Sequence, residues 1–185
     1  MTKQQNTPTM NRRTFLLRAA QLAVGLSLTE PLDLLARTLP KNKISFFHTH
    51  TEERFDLFFK GRSCPRVAKK KISSFLRDFR TGDTHPIDLR LMDILLQIQK
   101  KTGSKGVCEV ISGYRSPQTN AALRSRSHGV ARKSLHLKGQ AIDIRFSDVS
   151  TRNLRDAAIS LQAGGVGYYA KSDFVHIDTG DIRAW

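Results

Sequence analysis

Residues 134–145 read Ser-Leu-His-Leu-Lys-Gly-Gln-Ala-Ile-Asp-Ile-Arg. The segment begins as a polar loop that carries His136 and continues into an apolar run that predicts a strand over residues 140–146. One carboxylate, Asp143, interrupts that apolar run. Because a carboxylate buried without a partner is strongly unfavourable, Asp143 predicts a nearby cation, a metal ion or a cluster of hydrogen-bond donors.

Two further segments carry polar residues that a globular fold alone does not require. Residues 173–178 read Asp-Phe-Val-His-Ile-Asp and place His176 in a short apolar strand. Residues 111–117 run from a strand into a glycine-containing turn that projects Arg115. Two histidines and a carboxylate on separate rigid elements are the ligand set of an open zinc site, in which a fourth position holds water. A single histidine is more often a hydrogen-bonded structural residue, so these residues alone leave the structural and the metal interpretations open.

The rest of the chain predicts helices and strands in mixed order. Apolar residues at helical spacing predict helices over residues 65–79, 89–102, 117–125 and 151–162. Short apolar runs predict strands over residues 44–48, 54–59, 107–111, 140–146, 167–169 and 174–178. This order of elements predicts one compact α+β domain.

Composition limits the class of protein. The chain has 185 residues, 39% of them hydrophobic and 25% charged, as expected of one globular domain. Lys and Arg total 31 against 16 acidic residues, and the net charge of +15 predicts attraction to a polyanion: nucleic acid, anionic lipid or an anionic cell-wall polymer. Cys64 and Cys108 are too few for a disulfide framework and leave a single bridge as an open alternative.

Residues 1–37 have the layout of an export signal. Residues 11–17 read Asn-Arg-Arg-Thr-Phe-Leu-Leu and precede an apolar run of small residues, which resembles a twin-arginine signal for the export of folded proteins. A surface amphipathic helix is the alternative, but the arginines gather at one end of the segment. The sequence therefore predicts a periplasmic protein with its functional domain in residues 38–185. Export makes peptidoglycan a better candidate partner than nucleic acid.

The polar segments are also similar to known motifs. Residues 134–143 and 173–176 resemble the Ser-x-His-x-x-Gly-x-Ala-x-Asp and Asp/Glu-x-x-His motifs of LAS-type zinc peptidases, the superfamily of D-alanyl-D-alanine carboxypeptidases and hedgehog. More narrowly, residues 43–185 resemble the MepK (YcbK-like) murein endopeptidases. The resemblance implies a hedgehog- and DD-peptidase-like fold with a small antiparallel sheet flanked by helices.

The resemblance implies a role for each residue of the motifs. His136, Asp143 and His176 would bind zinc, and Asp173 would act as the general base. Arg115 would contact either the substrate carboxylate or the developing oxyanion. These roles follow from position in the motif and not from spacing alone.

The position of the general base leaves an alternative open. Side chains alternate along a strand, so Asp178 shares the face of His176, whereas Asp173 must lie in the turn before the strand to reach the metal. Asp178 is therefore the alternative base, or an acceptor that orients a histidine ring.

The expected function is that of an exported zinc metallopeptidase that hydrolyses amide bonds in peptidoglycan cross-links, a murein endopeptidase with zinc-bound water as the nucleophile. We expect a monomer that binds peptidoglycan peptides and not nucleic acid, with no membrane span unless the signal segment is retained. The alternatives are a zinc-containing wall-binding module without catalysis, a murein D,D-carboxypeptidase, and a nucleic-acid binder that uses the basic surface.

Overall fold

The computed structural model describes residues 42–61, 63–126 and 130–185, so the expected export segment lies outside the described residues. The strands are β1 (Asn42–His48), β2 (Arg54–Phe59), β3 (Cys108–Ser112), β4 (Ala141–Phe146), β5 (Gly165–Tyr169), β6 (Phe174–Asp178) and β7 (Arg183–Ala184). The α-helices are α1 (Lys69–Phe75), α2 (Arg90–Thr102), α3 (Pro117–Arg126) and α4 (Thr151–Ser160). Short 3-10 helices cover Arg66–Ala68, Leu135–Lys138 and Ala170–Ser172. None of the described helices is long and apolar enough to cross a bilayer.

The strands form one seven-stranded mixed sheet in the order β2-β1-β3-β4-β6-β5-β7. The pairs β1–β3 and β5–β7 are parallel, and the other neighbours are antiparallel. The expected α+β class and single compact domain are confirmed. The expected small antiparallel sheet is corrected to a larger mixed one, because β1 pairs with β3 across two intervening helices and the two-residue β7 extends the edge beside β5.

Strand alternation decides which face of the sheet each residue of β4 occupies. Ile142 and Ile144 are fully buried in the hydrophobic core, and Asp143 between them points to the opposite face. Helix α4 lies against β4, β5 and β6, and α2 lies against β1 and α4. Removal of apolar side chains such as Leu91 and Leu95 of α2 from water stabilises this packing. The sheet therefore presents its polar residues on the face away from α4.

The two cysteines are buried free thiols, so the bridge that the sequence left open is not formed. Burial raises the pKa of the Cys64 thiol to about 11 and also raises the pKa of Cys108 above its usual range. Both thiols are therefore protonated at neutral pH, and neither has the thiolate character of a nucleophile or a metal ligand.

Candidate metal centre

Three predicted residues converge on one side of the sheet. Asp143 on β4 and His176 on β6 are direct partners in the antiparallel register, so their side chains leave the sheet side by side. His136 reaches the same point from the 3-10 helix Leu135–Lys138. Each offers one metal-ligating atom, and these atoms all lie within 4.8 Å of one another. All three residues are buried.

The metal-ligating atoms of the three residues lie close enough together to bind one ion. His136 Nε2 lies 3.2 Å from Asp143 Oδ1 and 3.1 Å from His176 Nδ1. His176 Nδ1 lies 2.8 Å from the same Asp143 oxygen. The three atoms thus form a small triangle rather than a chain of separate contacts.

The outer nitrogen of each ring determines which atom faces the centre. His136 Nδ1 lies 2.7 Å from the carbonyl oxygen of Gly113, which only accepts, so the proton is on Nδ1 and the lone pair of Nε2 faces inward. His176 Nε2 lies 3.1 Å from Asp178 Oδ2 and donates to that carboxylate, so its Nδ1 lone pair also faces inward. When both rings are neutral, three electron-pair donors therefore meet, and they repel one another unless a cation lies between them. The donor set fits a divalent metal ion of the zinc type.

The electrostatics of the cluster keep His136 and Asp143 in the form that binds metal. Burial acts to lower the pKa of His176, but Asp143 and Asp178 outweigh it and raise that pKa, so a metal competes with a proton at this ring. Burial lowers the pKa of His136, which keeps the ring neutral. Burial acts to raise the pKa of Asp143, but the neighbouring His136, His176 and Arg115 outweigh it and hold that pKa below its usual range. A neutral imidazole and an ionised carboxylate are the protonation states that a metal requires.

Arg115 lies beside the cluster. One terminal nitrogen of its guanidinium donates to Asp143 Oδ2, and its Nε donates to Ser112 Oγ at 2.9 Å. Its backbone N–H donates to the carbonyl oxygen of His136 at 3.2 Å. Arg115 therefore balances the charge of Asp143 and ties its own turn to the turn that carries His136.

The structure does not bring Asp173 to the cluster. Its backbone is left-handed, with φ of 50°, at the end of the 3-10 helix Ala170–Ser172. Its carboxylate accepts hydrogen bonds from Thr151 Oγ1 at 2.9 Å and from Arg145 at 3.4 Å. Thr151 is the first residue of α4, and Arg145 leaves β4 on the same face as Asp143. The carboxylate of Asp173 thus bonds to Thr151 and Arg145 and not to the cluster, and its role as general base stays a prediction.

Asp178 occupies the position behind His176, with none of its surface exposed. Besides the His176 ring, its carboxylate accepts from the backbone N–H groups of Gly165 at 3.0 Å and Gly180 at 2.9 Å, and from Arg183 at 2.6 Å. Of the two roles that the sequence left open, this geometry is that of the acceptor that orients the ring. Arg183 was not found from the sequence, because its place depends on the pairing of β7 with β5.

The cluster opens into a cleft of about 680 Å³. Aromatic side chains of Tyr169, Phe174 and Trp185 line it, and Trp185 lies 5.4 Å from the His176 ring, centroid to centroid. His50 and Arg80 also line it, although both lie outside the motifs. No sequence signal marks these residues, since they reach the cleft from β1–β2 and from the loop after α1.

The turn that carries His136 depends on Gly139, and substitution of this glycine gives a first testable prediction. Its φ is 63°, and a Cβ at this position would lie 2.3 Å from the backbone oxygen of Pro86. Gly103, which ends α2, has a similar φ of 69° but open space around it. We expect Gly103→Ala to lower the free energy of unfolding by about 1 kcal/mol through backbone strain alone. Gly139→Ala should cost about 1–3 kcal/mol more, since the backbone must move.

Urea unfolding of the two variants beside the unchanged protein measures this difference. Equal losses for Gly139→Ala and Gly103→Ala would show that the contact with Pro86 adds nothing to backbone strain.

Comparison with known proteins agrees with the geometry of the cluster. A peptidase family model described as peptidoglycan L,D-endopeptidase MepK matches residues 37–185. The chain is 41% identical over 177 residues to peptidoglycan L,D-endopeptidase MepK of Escherichia coli (strain K12), which covers 95% of this chain and 97% of the relative. It is 38% identical over 178 residues to probable peptidoglycan L,D-endopeptidase MepK of Haemophilus influenzae, with 95% of each chain covered. No solved structure gives a significant match. Since both the family model and these relatives span nearly all of its described residues, the chain belongs to the MepK family of peptidases.

Proposed function

We propose that this chain is a zinc-dependent murein endopeptidase that hydrolyses an L,D amide bond in peptidoglycan peptide cross-links. His136, Asp143 and His176 are the proposed metal ligands. The observation that carries the proposal is the meeting of three inward-facing electron-pair donors at the floor of an open cleft. Membership in a peptidase family whose relatives are named for this activity supports it.

When bound, zinc supplies a Lewis acid that polarises the scissile carbonyl and lowers the pKa of a water molecule to about 7. The protein orients the histidine ligands. The carbonyl of Gly113 and the carboxylate of Asp178 hold the two imidazole rings by their outer nitrogens, so that the inner nitrogens stay aimed at one point. This preorganisation removes the cost of orienting the ligands during the reaction.

Arg115 is the proposed group that stabilises negative charge on the substrate oxygen. Its Nε and one terminal nitrogen are committed to Ser112 and Asp143, while the second terminal nitrogen has no partner among the described residues. Arg115 lines the cleft with the metal-binding residues, so this nitrogen is the proposed donor to an oxygen on which charge develops. Asp173 has no part in this proposal, because its carboxylate bonds to Thr151 and Arg145 and not to the cluster.

The shape and charge of the cleft support a peptide substrate that carries carboxylates. Its lining includes the basic residues Arg80, Arg115, Lys133 and Arg183. Peptidoglycan stem peptides are anionic, so the basic lining attracts them. We further propose that residues 1–37 direct export by the twin-arginine route and that the protein acts as a periplasmic monomer, because the proposed substrate lies outside the inner membrane.

Digestion of defined cross-linked muropeptides by the full chain, followed by mass spectrometry, tests this function. We expect loss of L,D-cross-linked dimers that stops when a chelator removes the metal and returns when zinc is added. Dimers that persist while the chain holds one equivalent of zinc would favour the wall-binding module. Release of a single terminal D-alanine from monomers, without cleavage of dimers, would favour the D,D-carboxypeptidase.

A further inference from the structure

The positive side chains of the cleft are not equivalent. Arg115 is bonded to Asp143, and Arg183 is bonded to Asp178. Among the described residues, Arg80 has neither an ion pair nor a hydrogen bond from its guanidinium. The cleft therefore contains one arginine whose guanidinium contacts no described carboxylate of the protein.

Arg80 is nevertheless held in a defined place. Its backbone N–H donates to Asp78 Oδ1 at 3.0 Å, and the other oxygen of Asp78 accepts from the backbone N–H of Ser116 at 2.8 Å. Asp78 is only 1% exposed. One buried carboxylate thus joins the turn that carries Arg80 to the turn that carries Arg115.

The guanidinium itself is oriented by an aromatic ring. Its central carbon lies 4.0 Å from the centroid of Phe79, the distance of a cation–π contact. The His50 ring also stacks on Phe79, with 4.1 Å between centroids and 13° between planes. This stacking limits the positions open to Arg80, so less conformational entropy is lost when a ligand binds to it.

The positive charge of Arg115 acts on Arg80 across this part of the cleft, and Asp78 is the carboxylate that joins their two turns. Burial lowers the pKa of Arg80, Asp78 acts to raise it, and the positive charge of Arg115 lowers it further. Asp78 offers no side-chain contact to the Arg80 guanidinium, because its oxygens accept from backbone groups. A carboxylate bound at Arg80 would relieve this repulsion and use the planar two-point geometry of arginine.

We propose that Arg80 binds a free carboxylate of the substrate, the one on the D-centre that follows the scissile amide. This inference rests on the proposed function. An amide that joins an L-centre acyl group to a D-centre amine leaves the carboxylate of the D-centre on the carbon next to the scissile nitrogen. Arg115 bonds to the metal-binding residue Asp143, and Asp78 joins the turn of Arg115 to the turn of Arg80, so the amide and the carboxylate would occupy neighbouring parts of one cleft. Arg80 is then a specificity residue that selects acidic over amidated stems.

The test compares two variants on two substrates. One substrate is a cross-linked dimer with this carboxylate free, and the other is the same dimer with the carboxyl amidated. We expect the unchanged protein to prefer the free acid by about 10- to 30-fold in kcat/KM, mainly through KM. Arg80→Gln should lose this factor on the free acid and nothing on the amide. Arg80→Lys should recover part of it, because it keeps the charge without the planar fork.

Arg152→Gln is the matched control, since it removes one exposed positive charge on α4, outside the cleft lining. It should leave the preference unchanged. An equal loss on both substrates for Arg80→Gln, or a preference that persists in this variant, would overturn the inference. So would a preference that disappears instead in Lys133→Gln.

Calorimetry separates this inference from the proposed function. If the unchanged protein cleaves neither dimer, the endopeptidase proposal fails. Binding of the two dimers to the zinc-loaded chain then still decides the role of Arg80. Tighter binding of the free acid that Arg80→Gln abolishes supports the inference, and equal binding of the two dimers contradicts it.

Discussion

The variant His136→Ala is expected to lose at least about 1,000-fold in turnover of cross-linked muropeptides, because a metal site with two ligands neither holds the ion nor positions it. His136 supplies one of the three inward-facing donors, and no other described residue lies in reach to replace it. Zinc content should fall below one equivalent per chain. Zinc should also no longer raise the midpoint of thermal unfolding, since that rise reflects binding to the folded state.

His85→Ala is a suitable control for this variant. The His85 ring stacks on Tyr114, 4.9 Å away, and does not belong to the metal cluster. It should keep zinc and activity. If His136→Ala bound zinc and turned over substrate as the unchanged protein does, the proposed centre would be wrong. Metal content and thermal unfolding are measured without substrate, so they test the centre whichever muropeptide the protein cleaves.

The variant Asp178→Asn should lower zinc affinity and turnover by about 10- to 100-fold, the range found when a group that orients a metal ligand is changed. Asp178 accepts hydrogen bonds from the His176 ring, from two backbone N–H groups and from Arg183 at once. An amide in its place must turn an N–H group toward at least one of these donors. The His176 ring then loses its fixed direction, and the metal-binding atoms separate.

Asp173→Asn is the matched control, because it makes the same chemical change at a carboxylate that does not bond to the cluster. The side chain of Asp173 is 61% exposed, and its partners are Thr151 and Arg145. We expect activity close to that of the unchanged protein. The reverse outcome, with Asp173→Asn inactive and Asp178→Asn active, would restore Asp173 as the general base and would contradict the orientation of the two carboxylates in the structure. Assays over a range of zinc concentrations distinguish lost affinity from lost chemistry.

The sequence predicted the central part of the site because local patterns determine it. The single carboxylate between Ile142 and Ile144 had to leave the core by strand alternation, and it lies opposite His176. The direction of Asp173 was not predictable in the same way. It depends on a left-handed backbone at a residue other than glycine, and few non-glycine residues adopt it.

Pairings between distant segments also escaped prediction. The contact of β1 with β3 joins parts of the chain that two helices separate, and β7 has only two residues. Neither the β1–β3 pairing nor strand β7 produces a periodic pattern in the sequence, because each forms only when the rest of the sheet is in place. The position of Arg80 in the cleft depends on the buried carboxylate of Asp78, which accepts hydrogen bonds from the backbone of two turns. The sequence does not show whether a single aspartate in a loop is buried or exposed.

The buried, unbridged state of Cys64 and Cys108 bears on where the protein would acquire the proposed metal. A fold without a disulfide reaches completion in a reducing cytoplasm. Under the proposed twin-arginine route, the folded chain would cross the membrane with its ligand triangle already assembled. The ion would then be chosen by the metal pool of the cytoplasm. The identity of the available ion matters, because a site of imidazole and carboxylate donors binds copper more tightly than zinc when both ions are present.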